Sequence, residues 1–227
     1  MKVSFCLIAI LLSGCISESY AADQLPWQQE FYPPSGKGQV IVVISGYSGP
    51  GGYAYYAKDI AAQGYYAVLV NGNDFWKKGL NGLPLLRGVV TRAQQSPHAL
   101  AGKVAVIGFS LGGAASLTYA ARMPESVSAV VAYYPETSFI SYPGAFVSKI
   151  KVPVLMFAGV LDTYKDCCVI ERARQLAAAA AKAGGGRVML RVVEYPDAPH
   201  GFSIKNTKSW RANDSADAFR RTLAYLK

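Results

Sequence analysis

Ser110 stands in Gly108-Phe109-Ser110-Leu111-Gly112, a G-x-S-x-G pattern with a hydroxyl between two glycines. A serine hydroxyl is a weak nucleophile until a base takes its proton. Only two histidines, His98 and His200, are present to do so. A histidine base in turn needs a carboxylate to fix its tautomer and stabilise the imidazolium. Asp162 closes the run Phe157-Ala158-Gly159-Val160-Leu161-Asp162, which gives the chain order Ser, Asp, His. Those three side-chain types together can perform acyl transfer through a covalent intermediate. The five-letter serine pattern is weak alone, so the elements that position it must decide.

Those elements alternate. Gln39–Ser45, Tyr65–Asn71, Lys103–Phe109, Val127–Tyr134, Val152–Ala158 and Val188–Tyr195 read as six strands, several of them unbroken apolar runs, the signature of strands buried on both faces. Between and after them lie helical stretches ending near Gln63, at Leu85–Gln95, Leu111–Arg122 and Cys168–Ala183, and at Asp214–Leu226. Gly184-Gly185-Gly186 supplies a helix stop. Strands alternating with helices predict an α/β fold with a mostly parallel sheet covered on both faces. Ligands on such sheets bind beyond the carboxyl ends of the strands. Gly46–Gly52, Ser110, Asp162 and His200 all fall just after strand ends.

Position then separates the histidines. His98 precedes the strand that leads to Ser110, which places it at the amino end of the sheet and away from the chemistry. His200 lies in Tyr195-Pro196-Asp197-Ala198-Pro199-His200-Gly201-Phe202, a loop at the carboxyl edge, and is the expected base. For the acid, Asp162 leads. Its rivals are Glu136, after the fourth strand, and Asp166, which also suits the N-cap of the next helix; Asp197 is too close in sequence to His200 to orient it. A sharp strand-to-helix turn lifts the serine above the sheet and aims the helix N-terminus at a developing oxyanion. The expected oxyanion donors are the backbone N–H groups of Leu111 and Tyr47.

With these residues in view, Gly108-Phe109-Ser110-Leu111-Gly112-Gly113, Asp162 in A-G-x-x-D and Pro199-His200-Gly201-Phe202 resemble the dienelactone hydrolase-related branch of the α/β-hydrolases. The likeness runs over roughly residues 38–227 and implies an α/β-hydrolase fold with Ser110, Asp162 and His200 as its triad. The namesake enzymes carry a cysteine where this chain has Ser110, and a glutamate in the first catalytic loop, where Gly46–Gly52 has none. The resemblance therefore implies a serine esterase of the wider branch. Peptidase action through the same triad is an alternative, and so is a non-catalytic envelope lipoprotein that uses the fold for binding. The sixteen residues Glu136–Lys151 leave room for one short helix rather than a lid domain, so an open site is expected. Tyr47, Tyr53, Phe75, Trp76, Tyr134, Phe139, Tyr142, Tyr164 and Phe202 fall near strand ends, where aromatics form an apolar subsite or pack the core.

The front of the chain carries a different message. Lys2 followed by apolar Val3–Leu12 has the form of a signal peptide. Two cuts fit: Leu12-Ser13-Gly14-Cys15 resembles a bacterial lipobox with Cys15 as the lipidated residue, and Ser19-Tyr20-Ala21 suits an ordinary cut before Ala22. Residues 1–21 are read as leader and 22–227 as one domain. The product is expected to be exported by a bacterium, to the periplasm or onto a membrane through an N-terminal lipid anchor.

The leader leaves Cys167 and Cys168 as the cysteines of the domain. Their adjacent Cα atoms would strain a bridging peptide, which predicts free thiols in a helix's first turn, with a redox pair as the alternative.

Composition sets the remaining bounds. With 52% hydrophobic and 16% charged residues in 227, the chain is built for a core rather than for disorder. The net charge of +9 has a stretch, residues 75–124, with six cations and no acid. That basic face can attract anionic lipid, polysaccharide or substrate, but no stripe of cations and aromatics marks a nucleic-acid surface. No metal-ligand spacing, P-loop or dinucleotide fingerprint occurs. A small-molecule ester with no cofactor and no metal is the expectation; oligomeric state is not legible.

Overall fold

Val40–Ile44 and Tyr66–Val70 are buried at every position, as are Val104–Phe109 and Val154–Gly159. Such runs must be covered on both faces, and the fold supplies that cover. The computed structural model describes residues 28–78, 81–183 and 189–227. In chain order its strands and helices are Gln28–Phe31 (β1), Val40–Ile44 (β2), Ala54–Ala62 (α1), Tyr66–Val70 (β3), Gly82–Gln94 (α2), Val104–Phe109 (β4), Leu111–Thr118 (α3), Val127–Tyr133 (β5), Pro143–Val147 (α4), Val154–Gly159 (β6), Ile170–Ala183 (α5), Leu190–Tyr195 (β7) and Ala212–Leu226 (α6).

The strands form one sheet in the order β1-β3-β2-β4-β5-β6-β7. All neighbours pair in parallel except β1, which runs antiparallel to β3. The six expected strands are therefore present, and β1 is an addition at the edge. Side chains from α2, α3, α4 and α5 join one face of the sheet in an aliphatic core. Those from α1 and α6 join the other face, where the packing is rich in tyrosine and phenylalanine. No helix among the described residues is long and apolar enough to cross a membrane. The leader, Cys15 and the Gly184–Gly186 helix stop lie outside the described residues.

Two details bear on the site. On the aromatic face, Tyr133 of β5 links the two covering helices: its hydroxyl lies 3.0 Å from that of Tyr56 on α1 and 2.7 Å from Thr222 Oγ1 on α6. Around the strand-to-helix turn after β4, backbone meets backbone. A Cβ at Gly112 would overlap the carbonyl oxygens of Ile44 and Ser45, and one at Gly108 would overlap the carbonyl of Gly112. Only hydrogen atoms at these two positions let α3 settle onto the ends of β2 and β4. Gly112→Ala should accordingly cost at least about 2–3 kcal/mol, the upper range for overpacking in a rigid surround; comparing urea unfolding midpoints of the two proteins checks it.

Candidate active site

Ser110 sits between β4 and α3 with φ 51° and ψ −115°. An L-residue in that region is strained by about 1–3 kcal/mol, and the surroundings hold it there. Its N–H donates to Tyr133 O at 3.0 Å, and its carbonyl accepts from Ala114 at 3.0 Å and from Glu136 at 3.0 Å. The turn thus fastens Ser110 at once to the next strand, to its own helix and to the loop after β5. Leu111 opens α3, so its N–H belongs to the first turn, which has no helical acceptor.

The two predicted partners of Ser110 meet it. His200 Nε2 lies 3.0 Å from Ser110 Oγ, and His200 Nδ1 lies 2.8 Å from Asp162 Oδ2. The Asp162 side chain is fully buried and the His200 side chain is 15% exposed, so the pair is dry at one end and open at the other. Asp162 Oδ1 accepts from the Tyr164 N–H at 3.1 Å, which occupies its second oxygen and leaves Oδ2 facing the imidazole. The imidazole is held between two rings: Tyr164 stacks on it at 4.7 Å with an 11° interplanar angle, and Tyr134 meets it edge-on at 4.9 Å. Tyr134 is fixed in turn by a 2.8 Å hydrogen bond between its hydroxyl and Ser203 Oγ. Burial pushes that phenol well above its usual pKa, so it stays neutral.

The rivals fall elsewhere. Glu136 turns back on its own loop, accepting from Ser138 N at 2.8 Å and Ser138 Oγ at 2.5 Å. Asp166 has φ 53° in a short 3-10 turn, Tyr164–Asp166, and does not cap α5, which begins at Ile170. Asp197 is exposed and lies 3.9 Å from Arg211. His98 is at the opposite end of the sheet, with Nδ1 2.7 Å from Gly36 O and its ring 4.0 Å from that of Tyr32.

A cavity of about 470 Å³ opens above the serine, lined by residues that include Tyr47, Tyr53, Ser110, Tyr164, His200 and Ile204. Tyr47 is 69% exposed at its rim, and the Lys165 ammonium lies 5.5 Å from the Tyr47 ring and 5.3 Å from that of Tyr164. Gly46 is pressed against the site: a Cβ there would lie 3.2 Å from Ser110 Cβ and would overlap the Tyr53 hydroxyl. Burial raises the Tyr53 phenol to about 12, against the opposing pull of hydrogen bonding to Ser48 and the Gly46 backbone. Of the other aromatics expected near the site, Phe75, Tyr134 and Phe202 are fully buried core residues. Trp76 and Phe139 cluster beside it, with the Trp76 indole N–H donating to Leu111 O at 3.3 Å.

One expectation is overturned. Cys167 and Cys168 are not free thiols in a helix but a vicinal disulfide, in a bend two residues before α5. The distortion expected of the intervening peptide does not prevent the bond, which forms in a bend ahead of the helix. Folding also assembles a set of ligand atoms that spacing along the chain did not reveal: both sulfurs and a ring nitrogen of His200 lie within 4.8 Å of one another.

The family model described as "Dienelactone hydrolase family" matches residues 73–227, a span that contains Ser110, Asp162 and His200. The chain belongs to the dienelactone hydrolase family. A curated relative, a Yersinia pestis protein named "Putative carboxymethylenebutenolidase", is 34% identical over 131 residues, covering 55% of this chain and 46% of that one. The chain thus spans about half the length of the curated relatives it matches. Among solved structures, a Klebsiella pneumoniae protein described as "Putative Dienelactone Hydrolase" superposes with a TM-score of 0.72 at 19% identity, over 88% of this chain and 98% of that one. The acylaminoacyl peptidase of Pyrococcus horikoshii gives 0.67 at 17% identity, over 88% and 38%. At those identities the structures establish a shared fold: the dienelactone hydrolase form of the α/β-hydrolases.

The left-handed backbone at Ser110 can be tested apart from any activity. Ser110→Gly should be more stable than Ser110→Ala by about 1 kcal/mol, because glycine adopts positive φ without the penalty an L-residue carries. Urea midpoints of the two variants measure the difference.

Proposed function

We propose that this dienelactone hydrolase family member is a serine esterase that works through Ser110, His200 and Asp162 and an acyl-enzyme. The observation that carries the reading is the unbroken line from Ser110 Oγ to His200 Nε2 at 3.0 Å and from His200 Nδ1 to Asp162 at 2.8 Å, standing at the floor of an open cavity. In this reading His200 takes the hydroxyl proton as Ser110 attacks the ester carbonyl, and Asp162 holds the imidazole with Nδ1–H toward the carboxylate. The carbonyl oxygen becomes an oxyanion stabilised by the N–H groups of Leu111 and Tyr47. His200 then returns its proton to the departing alcohol. Water, activated by the same histidine, releases the acid from Ser110.

Several features favour an ester substrate. Among the described residues, the segment between β5 and β6 holds only the short α4 and inserts no gating domain over the cavity. Lactonase chemistry of the family's namesake kind is not part of the proposal, since a serine stands at the nucleophile position and Gly46–Gly52 contains no acid. The curated relatives' name is carried by chains about twice the matched length, so it lends the reaction class and not the substrate. Export belongs to the same proposal. Its supports are the leader-like residues 1–21 and the Cys167–Cys168 disulfide, a bond that persists in oxidising compartments.

A fluorophosphonate probe should label the purified protein with one adduct, mapped by mass spectrometry to Ser110, and Ser110→Ala should leave it unlabelled. Labelling elsewhere, or none on folded protein, would remove the serine mechanism and favour a binding role. On an aryl ester, Asp162→Asn should lower kcat by roughly 10⁴, as expected when the imidazole is held in the wrong tautomer. Glu136→Gln should leave kcat near that of the unmodified protein; the reverse pattern would reassign the acid.

A further inference from the structure

The vicinal pair Cys167–Cys168 lies against the proposed base. Both residues are nearly buried, at 8% and 4% exposure. The Cys167 carbonyl accepts from the N–H groups of Thr137 at 2.8 Å and Ser138 at 3.1 Å, which pins the bend to the loop after β5. Asp162 lies five residues before Cys167, and Tyr164, which stacks on His200, lies between them. The two sulfurs and a His200 nitrogen fall within 4.8 Å of one another, and His200 itself lines the cavity. Two thiolates and an imidazole are a donor set suited to a thiophilic d10 cation, with a fourth position left for water.

We propose that, once reduced, Cys167, Cys168 and His200 form a binding site for a divalent thiophilic cation of the zinc type, and that the disulfide keeps the site closed. The chemistry balances in two steps. A dithiol donor gives two electrons and two protons to the Cys167–Cys168 bond, becoming a disulfide itself and leaving two thiols. Cation binding then forms two metal–sulfur bonds and one metal–nitrogen bond and releases the two thiol protons. The imidazole must lend the cation a ring lone pair. Taking that of Nε2 removes the acceptor for the Ser110 proton, and taking that of Nδ1 displaces Asp162. Either way the reduced, metal-bound protein loses its base, whereas the disulfide form keeps it. Loss of hydrolysis rests on the esterase reading; binding of the cation does not.

The test uses the full purified chain and Zn²⁺ alone. Protein in its disulfide form is compared with protein reduced by a trialkylphosphine, which takes up the oxygen of one water per disulfide and leaves no competing thiol. Competition against a chromophoric chelator should show one tightly held Zn²⁺ per reduced chain and none on the oxidised chain, and reoxidation of the same sample should release it. His200→Gln should weaken zinc binding by the reduced protein about tenfold or more, since loss of even an outer partner of a ligand costs about 10–100-fold. The pair Cys167→Ser, Cys168→Ser should abolish it. Equal affinity before and after reduction overturns the site, as does unchanged affinity in either variant. The reduction and reoxidation cycle needs no variant to fold. If zinc binds as described but aryl-ester hydrolysis never existed to inhibit, the esterase reading fails and the metal site stands.

Discussion

At the turn after β4, main chain presses on main chain with nothing between, and the site depends on that contact. Gly108 and Gly112 carry no side chain because the carbonyls of Ile44, Ser45 and Gly112 occupy the space. With α3 seated so low on the sheet, the chain between Phe109 and Leu111 has one way round, through a left-handed serine. The strain of about 1–3 kcal/mol at that residue is borne by the buried strands on each side. The same descent that strains Ser110 sets its Oγ within hydrogen-bond reach of His200. It also leaves Leu111 at the start of a helix, where a peptide N–H has no helical partner.

The parallel sheet adds direction to this. Because β2 to β7 all run one way, every loop after a strand emerges on the same edge, and Gly46, Ser110, Asp162 and His200 converge although they span more than 150 positions. The chain's other histidine, reached before β4 rather than after a strand end, is left against Gly36 and Tyr32 at the far side. The candidate site is thereby separated from the opposite edge by the length of the strands. Within the site, order is imposed on His200 from both faces. Tyr164 and Tyr134 limit its tilt, and the buried Asp162 limits its spin.

Much of this was legible beforehand, and the reasons are physical. Apolar runs such as Val40–Ile44 admit few readings when each is followed by an amphipathic stretch, so the strands of the parallel sheet stand out. His200 and Asp162 were found by asking which residues follow strand ends. What sequence did not reveal had no pattern to show. Gln28-Gln29-Glu30-Phe31 is mostly polar, since an edge strand needs only one neighbour and its side chains need not be buried; β3 recruits it through backbone pairing. The Cys167–Cys168 bond is hidden from sequence because adjacent cysteines argue for strain in the peptide between them, and because the helix starts at Ile170 rather than at Cys168, leaving the pair in a bend. The clamp of Tyr134 by Ser203 joins positions 69 apart through side chains alone, and periodicity carries no record of such a contact.

Tyr133 also has a bearing on how the chain reaches this state. Its hydroxyl is shared between Tyr56 on α1 and Thr222 on α6, 166 positions apart. Until α6 docks, the aromatic face of the sheet lacks its second cover, and the two phenols have each other and water to bond. Closing the face without Thr222 would strand a buried polar group at a cost of about 1–3 kcal/mol. The dry aromatic interior therefore needs α6 in place, so that covering this face of the sheet and closing its line of hydroxyls are the same event.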